Sequence, residues 1–211
     1  MNLSNFVKQF QLILFVLVCV STSAYAAKPD LGGAPSGTYQ VDLTHASVVW
    51  KVSHFGFSTY PGRFTDFTAQ LNLDSEDFTK SSVVVEIQTD SISTSYPFPD
   101  QKDFDKKLSE DWLLSKEHPV MTFKSNSVSD LVDNKATVQG QLSMAGQTHP
   151  VSLDVTFNKG AAKHPFKQVP IVGFSATTKI DRTQWGVSKY TPNLGAELSI
   201  EIEGEFLQTA Q

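Results

Sequence analysis

One cysteine, two arginines and no long apolar run beyond the first residues are the shortages that narrow what this 211-residue chain can be. Cys19 sits in an apolar run from Phe10 to Val20, preceded by Lys8 and followed by polar Ser21 to Ser23 and the small-residue pattern Ala24-Tyr25-Ala26. That order predicts a secretory signal peptide over residues 1–26, with the mature chain starting near Ala27. Its apolar core is about 11 residues, well short of the roughly 20 a helix needs to cross a bilayer. Val18 stands before Cys19 where lipid attachment needs a small residue, so anchoring through the cysteine is not expected. A mature chain from Ala27 then has no cysteine, which excludes disulfides, thiolate catalysis and thiolate metal sites.

Basic residues are also scarce. Removing residues 1–26 takes away Lys8 and no acid, leaving 16 basic and 22 acidic residues and a net charge of 16 − 22 = −6. Nucleic acid is therefore not an expected partner. The remaining 211 − 26 = 185 residues suit a single domain with a substantial core. No G-x-S-x-G, phosphate loop or dinucleotide fingerprint is present. The carboxylates fall on a helical stretch and on outward strand positions, where they are solvated rather than tuned for proton transfer. No catalytic residue is nominated, and the chain is not expected to be an enzyme. The histidines, His45, His54, His118, His149 and His164, show no ligand-pair spacing. No metal site and no cofactor are nominated, although His45 and His54 are free to meet a distant carboxylate in space.

What the chain does have is period two. Val83, Val85 and Ile87 alternate with Val84, Glu86 and Gln88; Ala136, Val138, Gly140, Leu142 and Met144 alternate with polar neighbours. Val151 to Phe157, Val172 to Ile180 and Leu198 to Phe206 repeat the pattern, the last against Glu197, Ser199, Glu201, Glu203 and Glu205. These are half-buried strands. Gly146-Gln147 reads as a tight hairpin. In the run from Gly62 to Leu73, Phe64 has the wrong parity for Phe67, Ala69, Leu71 and Leu73, so a β-bulge near Asp66 is expected. Residues 27–37, AKPDLGGAPSG, read as a flexible leader, with the fold beginning near Thr38 and a short tail at 208–211.

One stretch differs. In residues 100–114, Phe104, Leu108 and Trp112 recur every four positions and Asp100 is placed to cap the start. A short amphipathic helix is expected, with a break near Ser109, lying on the surface or closing one end of a barrel. About eight or nine strands and one helix argue for a sandwich or a closed up-and-down barrel. An outer-membrane barrel would have the same period with the apolar face outward, but aromatic girdles at both ends are missing. A barrel of about eight strands is either filled by side chains or holds one small ligand.

Within HASVVWKVSHFGFS, residues 45–58, parity sets His54 beside Val48, Trp50 and Val52, just before Gly56 where the strand should end. A polar group there sits near a barrel mouth, either bonded to a backbone carbonyl or placed to meet a ligand's polar head. The candidate ligand-binding lining is Val48, Trp50, Val52, His54, Phe67, Leu71, Val85, Ile87, Leu142, Val155, Phe174, Leu198 and Ile200; core packing explains each equally well. The two arginines, Arg63 and Arg182, each have an acid nearby, Asp66 and Asp181, and are expected to fasten a turn or the barrel rim.

Several stretches together resemble the YceI-like family of secreted, polyisoprenoid-binding, lipocalin-like barrels. They are D-x-x-H-A-x-V-x-W-x-V-x-H-x-G-F-S from Asp42 to Ser58, Gly62-Arg63-Phe64 with Phe67, and Ser91-Ile92-Ser93-Thr94. His118-Pro119 before Thr122-Phe123-Lys124-Ser125, Gly140 to Ser143 leading to Gly146-Gln147-Thr148-His149-Pro150-Val151, and Gly173-Phe174 with Ile180-Asp181-Arg182 and Trp185-Gly186 follow in order. The likeness covers nearly all of residues 38–207. It departs at Asp105-Lys106-Lys107-Leu108, where the family's histidine is replaced by Lys107.

The resemblance implies an all-β fold, an eight-stranded antiparallel lipocalin-like β-barrel with one short α-helix. It further implies a periplasmic domain over 38–207 that sequesters a long apolar lipid, such as an isoprenoid quinone or a fatty-acid-derived amide. The expectation is a carrier or buffer for a long-chain isoprenoid or similar amphiphile, with no integral membrane segment in the mature chain and a homodimer as one oligomeric option. Burying ten methylenes would supply about 8 kcal/mol before ordering costs. The alternatives are a lipid-modifying enzyme using the same cavity and a filled barrel that docks an envelope or redox partner.

Overall fold

The computed structural model describes residues 29–209, so the expected signal peptide and Cys19 lie outside the described residues. The period-two stretches form ten strands: β1 (Gly37–His54), β2 (Ser58–Phe64), β3 (Phe67–Leu73), β4 (Ser82–Gln88), β5 (Ile92–Ser93), β6 (Val120–Val132), β7 (Lys135–Met144), β8 (Gln147–Ala161), β9 (Ile171–Asp181) and β10 (Leu194–Gln208). Helix α1 (Phe104–Asp111) lies between β5 and β6. Neighbouring strands pair antiparallel, and β10 pairs back onto β1, which closes the sheet.

The closed circuit has eight members, β1-β3-β4-β6-β7-β8-β9-β10. The other two strands prolong staves of that wall. The 18-residue β1 pairs with β3 over Gly37–Gln40 and with β2 over Val48–His54, so β2 and β3 are two halves of one stave. β5 pairs with β2 and extends the stave begun by β4 in the same way. This is the expected eight-stranded antiparallel barrel with one helix.

The parity conflict between Phe64 and Phe67 is resolved at the expected place, though by a strand break at Thr65-Asp66 rather than a one-residue bulge. The Thr65 N–H donates to Ser91 O (3.1 Å) and Asp66 O accepts from the Gln88 N–H (3.0 Å), so the interrupted backbone stays satisfied. Both phenylalanines consequently line the interior. The hairpin between β7 and β8 turns one residue earlier than expected, at Ala145-Gly146. Their φ values are 48° and 77°, the paired positive φ of a twist-matched two-residue turn, and Gln147 already belongs to β8.

The helix is shorter than its apolar spacing suggested. Asp103, not Asp100, caps it by accepting from the Lys106 N–H at 3.0 Å, and it ends at Asp111. Ser109 does not break it, because its hydroxyl donates to Lys106 O within the helix (3.0 Å). Asp105 ties α1 to the barrel, accepting from the Thr94 N–H (3.0 Å) and hydroxyl (2.6 Å).

The leader is the largest departure. In its described part it does not hang free: Leu31 and Ala34 are buried against Tyr39, Leu71, Leu73, Phe157 and Val172. Gly32 O accepts from the Ala162 N–H (2.9 Å), and Tyr39 Oη donates to Pro35 O (2.6 Å). A Cβ at Gly32 would fall 2.2 Å from Gly160 O, so this crossing needs glycine. Residues 29–36 thus seal one end of the barrel, and α1 with the loops around Trp185 covers the other. Strand alternation places the apolar faces inward, while Lys51–Glu201 (2.6 Å) and Lys179–Glu197 (2.9 Å) pair outside. That is the inverse of a lipid-facing barrel.

Candidate functional site

Between the two ends the barrel is hollow. A cavity of about 660 Å³ runs along its axis. Its signature is visible strand by strand: Val83, Val85 and Ile87 on β4, and Leu198, Ile200 and Ile202 on β10, point inward yet are only half-buried. Facing a void rather than a packed core leaves them accessible.

All thirteen candidate residues face this cavity. Val48, Trp50, Val52 and His54 come from β1, Phe67 and Leu71 from β3, and Val85 and Ile87 from β4. Leu142 on β7, Val155 on β8, Phe174 on β9, and Leu198 and Ile200 on β10 complete the set. Sequence reasoning missed the contribution of β6 (Met121, Phe123, Val128, Leu131) and that of the helix (Phe104, Leu108, Trp112). The four-residue stripe on α1 was the available signal for the latter.

The helix-covered end is the mouth, and it is aromatic. His54 stacks edge-on against Phe55 (4.9 Å) and lies 6.3 Å from Tyr60; Tyr60 meets Phe104 (6.4 Å), Phe104 meets Tyr96 (5.3 Å), and Tyr96 meets Phe98 (6.1 Å). Trp112 packs on Tyr190 at 5.7 Å from the opposite side. His54 is exposed and lines the cavity at this rim. Its ring is not tied to a backbone carbonyl among the described residues, so it is free to bond a group arriving from outside.

Among the lining residues only Arg182 and Glu203 are charged, apart from the histidine at the rim. Arg182, 2% exposed, reaches the cavity wall, but its guanidinium donates to Gly195 O (2.9 Å), Lys189 O (3.0 Å), Leu194 O (3.0 Å) and Val187 O. Burial pushes its pKa down from the ordinary arginine value. It rivets the loop after β9 to the rim, as expected, and four of its five N–H donors are taken. Asp181 instead caps the short turn that follows, accepting from the Thr183 N–H at 2.9 Å. Arg63 is exposed.

On the outer wall Asp42, His45 and Glu205 bring potential ligand atoms within 4.8 Å of one another. His45 thus meets two carboxylates, while His54 does not join them. The cluster already has its cation: Lys167 Nζ lies 2.5 Å from Asp42 Oδ2. That bond, with help from Thr44, holds the Asp42 carboxyl well below the usual carboxylate range.

The motif residues His118, His149 and Trp185 are framework. Trp185 Nε1 donates to Leu142 O (3.0 Å) and its ring meets His149 edge-on at 5.1 Å. His118 packs under the β7–β8 turn, where a Cβ at Gly146 would lie 2.6 Å from its Nε2. Lys107, at the position of the missing family histidine, lies on the surface 3.7 Å from Asp111.

A closed antiparallel barrel with an apolar interior, sealed at one end and aromatic at the other, defines a lipocalin-like hollow barrel. The YceI-like domain model matches residues 39–206, and the chain belongs to that family. A UPF0312 protein of Pseudomonas putida is 32% identical over 194 residues, covering 90% of this chain and 95% of its own. The crystal structure of Burkholderia cenocepacia BcnA superposes with a TM-score of 0.68 at 22% identity, covering 78% of this chain and 98% of BcnA. A polyisoprenoid binding domain from Saccharophagus degradans superposes with a TM-score of 0.59 at 9% identity, covering 81% of this chain and 98% of that domain.

Proposed function

We propose that this chain is a periplasmic binding protein that takes the tail of a long-chain isoprenoid or similar amphiphilic lipid into its barrel, and that it carries or buffers the lipid rather than altering it. The observation that carries the reading is the apolar cavity of about 660 Å³. At about 30 Å³ per heavy-atom-sized volume, as for water, it accommodates roughly twenty heavy atoms, the size of a four-unit isoprenoid chain. At about 0.8 kcal/mol per buried methylene, such a tail supplies enough to outweigh the cost of association. The name of the Saccharophagus degradans domain gives the same chemistry for a barrel of this fold.

In this reading the twelve apolar lining residues contact the tail and His54, the thirteenth, offers the polar group at the mouth. The Arg182 guanidinium spends four of its five N–H donors on backbone carbonyls, so it has no free fork with which to grip a phosphate. A neutral acceptor head, such as the carbonyl of an isoprenoid quinone, is therefore preferred to a phosphorylated one. Secretion through residues 1–26 belongs to the same proposal.

Native mass spectrometry of the purified protein after incubation with envelope lipids tests it. The expected result is a retained lipid of unaltered mass. A chemically changed lipid would point to an enzyme, and a protein that stays empty contradicts the proposal. N-terminal sequencing of the periplasmic protein tests the leader, with a start near Ala27 expected and a start at Met1 contradicting it.

A further inference from the structure

Nine large apolar side chains are strongly exposed among the described residues, and six of them, Phe55, Phe57, Phe98, Leu114, Val120 and Tyr190, lie at the mouth end. Phe57 is 91% exposed, Tyr190 65% and Phe98 54%. Isolated exposed apolar groups are ordinary, but a ring of them on one end is not.

The ring is built, not scattered. Phe55 and Tyr190 both hold positive φ, 54° and 61°, a conformation bulky residues rarely adopt. The two loops that carry them are clipped together by the Phe55 N–H donating to Asn193 O (2.8 Å), and the Phe57 N–H closes the hairpin onto His54 O (3.0 Å). Phe55 and Tyr190 are also cavity-lining residues, so the apolar interior continues without interruption onto the exposed surface.

Charges on and just after α1 beside this ring are paired: Lys107 with Asp111 (3.7 Å), Lys106 with Glu110 (4.0 Å) and Lys116 with Glu110 (2.9 Å). The remaining lysines here are also held locally, Lys102 over the Phe104 ring (5.0 Å) and Lys189 by Asp111 O (2.6 Å), so aromatic contact rather than charge is the feature this rim offers a lipid surface. Its aromatic tips suit the apolar–polar boundary of a bilayer, where such rings settle with one side wet.

We infer that the mouth end docks on a lipid surface, with Phe57 and Phe98 inserted at the headgroup boundary, so that a lipid passes between bilayer and barrel without crossing water. The inference rests on the lipid-carrier reading for its purpose, but the surface itself can be tested on the empty protein. Neither Phe57 nor Phe98 lines the cavity, so their replacement leaves the interior intact.

The experiment is flotation of lipid-free protein with vesicles of phosphatidylethanolamine containing a minor share of phosphatidylglycerol. It compares the natural chain, the double variant Phe57→Asp/Phe98→Asp, and Phe166→Asp, which alters an equally exposed phenylalanine at the sealed end. Expected is vesicle binding that persists in high salt, is weakened at least about tenfold by the double variant, and is unchanged by Phe166→Asp. Equal flotation of all three proteins, or equal loss in both variants, overturns the inference. So does a drop in oligomeric mass of the double variant, which would show that a second copy covers the ring. Geranylgeraniol added from ethanol, without vesicles, separates the two claims: failure of every protein to take it up counts against the carrier reading, while flotation still decides the docking surface.

Discussion

Trp50 occupies the space that a side chain at Gly62 would need. The two residues face each other across β1 and β2, and a Cβ at Gly62 would lie 2.1 Å from Trp50 Cζ2. The indole lies flat against bare backbone, which keeps it out of the middle of the cavity. Gly62→Val is therefore expected to push the ring into the void and weaken lipid binding. Trp50→Ala is expected to destabilise the fold by about 3–5 kcal/mol while enlarging the cavity. Fluorescence titration with geranylgeraniol analogues of different length, beside thermal melting, checks both directions.

Arg182 holds four carbonyls of the rim at once. Replacement by methionine leaves buried acceptors unpaired and should remove at least about 3 kcal/mol. At about 2–4 °C per kcal/mol for a domain of this size, that lowers the melting temperature by roughly 6–12 °C. Arg182→Lys should recover only part of the loss, since an ammonium cannot reproduce the planar fork. Full recovery by lysine would show that charge alone, not geometry, is what the rim requires.

The Asp42–Lys167 bond gives the outer wall an acid-sensitive tie. The folded carboxyl titrates below its unfolded value, so its stabilisation is complete above about pH 4 and is lost as pH falls through the folded value. Asp42→Asn should cost about 1–3 kcal/mol at neutral pH. The difference from the natural chain should shrink in strong acid. Urea midpoints across acid pH measure it, and a constant difference would contradict the assignment.

Tyr39 predicts the opposite limb. Burial pushes its hydroxyl up to about 12, while the unfolded side chain titrates near 10. Its contribution is full below about pH 10 and is lost as pH rises toward the folded value. Tyr39→Phe should lose about 1 kcal/mol at neutral pH, from the bond to Pro35 O, and then lose less than the natural chain between pH 10 and 12. Ultraviolet titration should show the late-ionising phenol disappear in the variant.

Period two made the wall legible, because in a hollow barrel every strand obeys one rule: apolar inward. It carried most of the strands, though not β6, and their parity, and the thirteen nominated positions face the cavity, including His54 at the rim. The break at Thr65-Asp66 was legible for the same reason, as a parity error. What closes the ends was not. Leu31 and Ala34 sit among glycines and prolines that read as a tether, and only contact with Tyr39 and Val172 reveals them as a plug. The helix start was misplaced because both Asp100 and Asp103 can cap, and tertiary contact, here Thr94 gripping Asp105, decides between them. The aromatic mouth was missed because its members come from β1, β2, α1 and separate loops, with no shared spacing.

Filling the cavity tests the central claim most directly. Ala176 faces the void from β9, so Ala176→Phe adds a ring to empty space rather than to packed atoms. Titration of both proteins with a fluorescent isoprenoid should show affinity falling at least about tenfold in the variant, with its melting temperature equal or higher. Equal affinity in the two proteins would place the lipid somewhere other than the barrel interior and contradict the account.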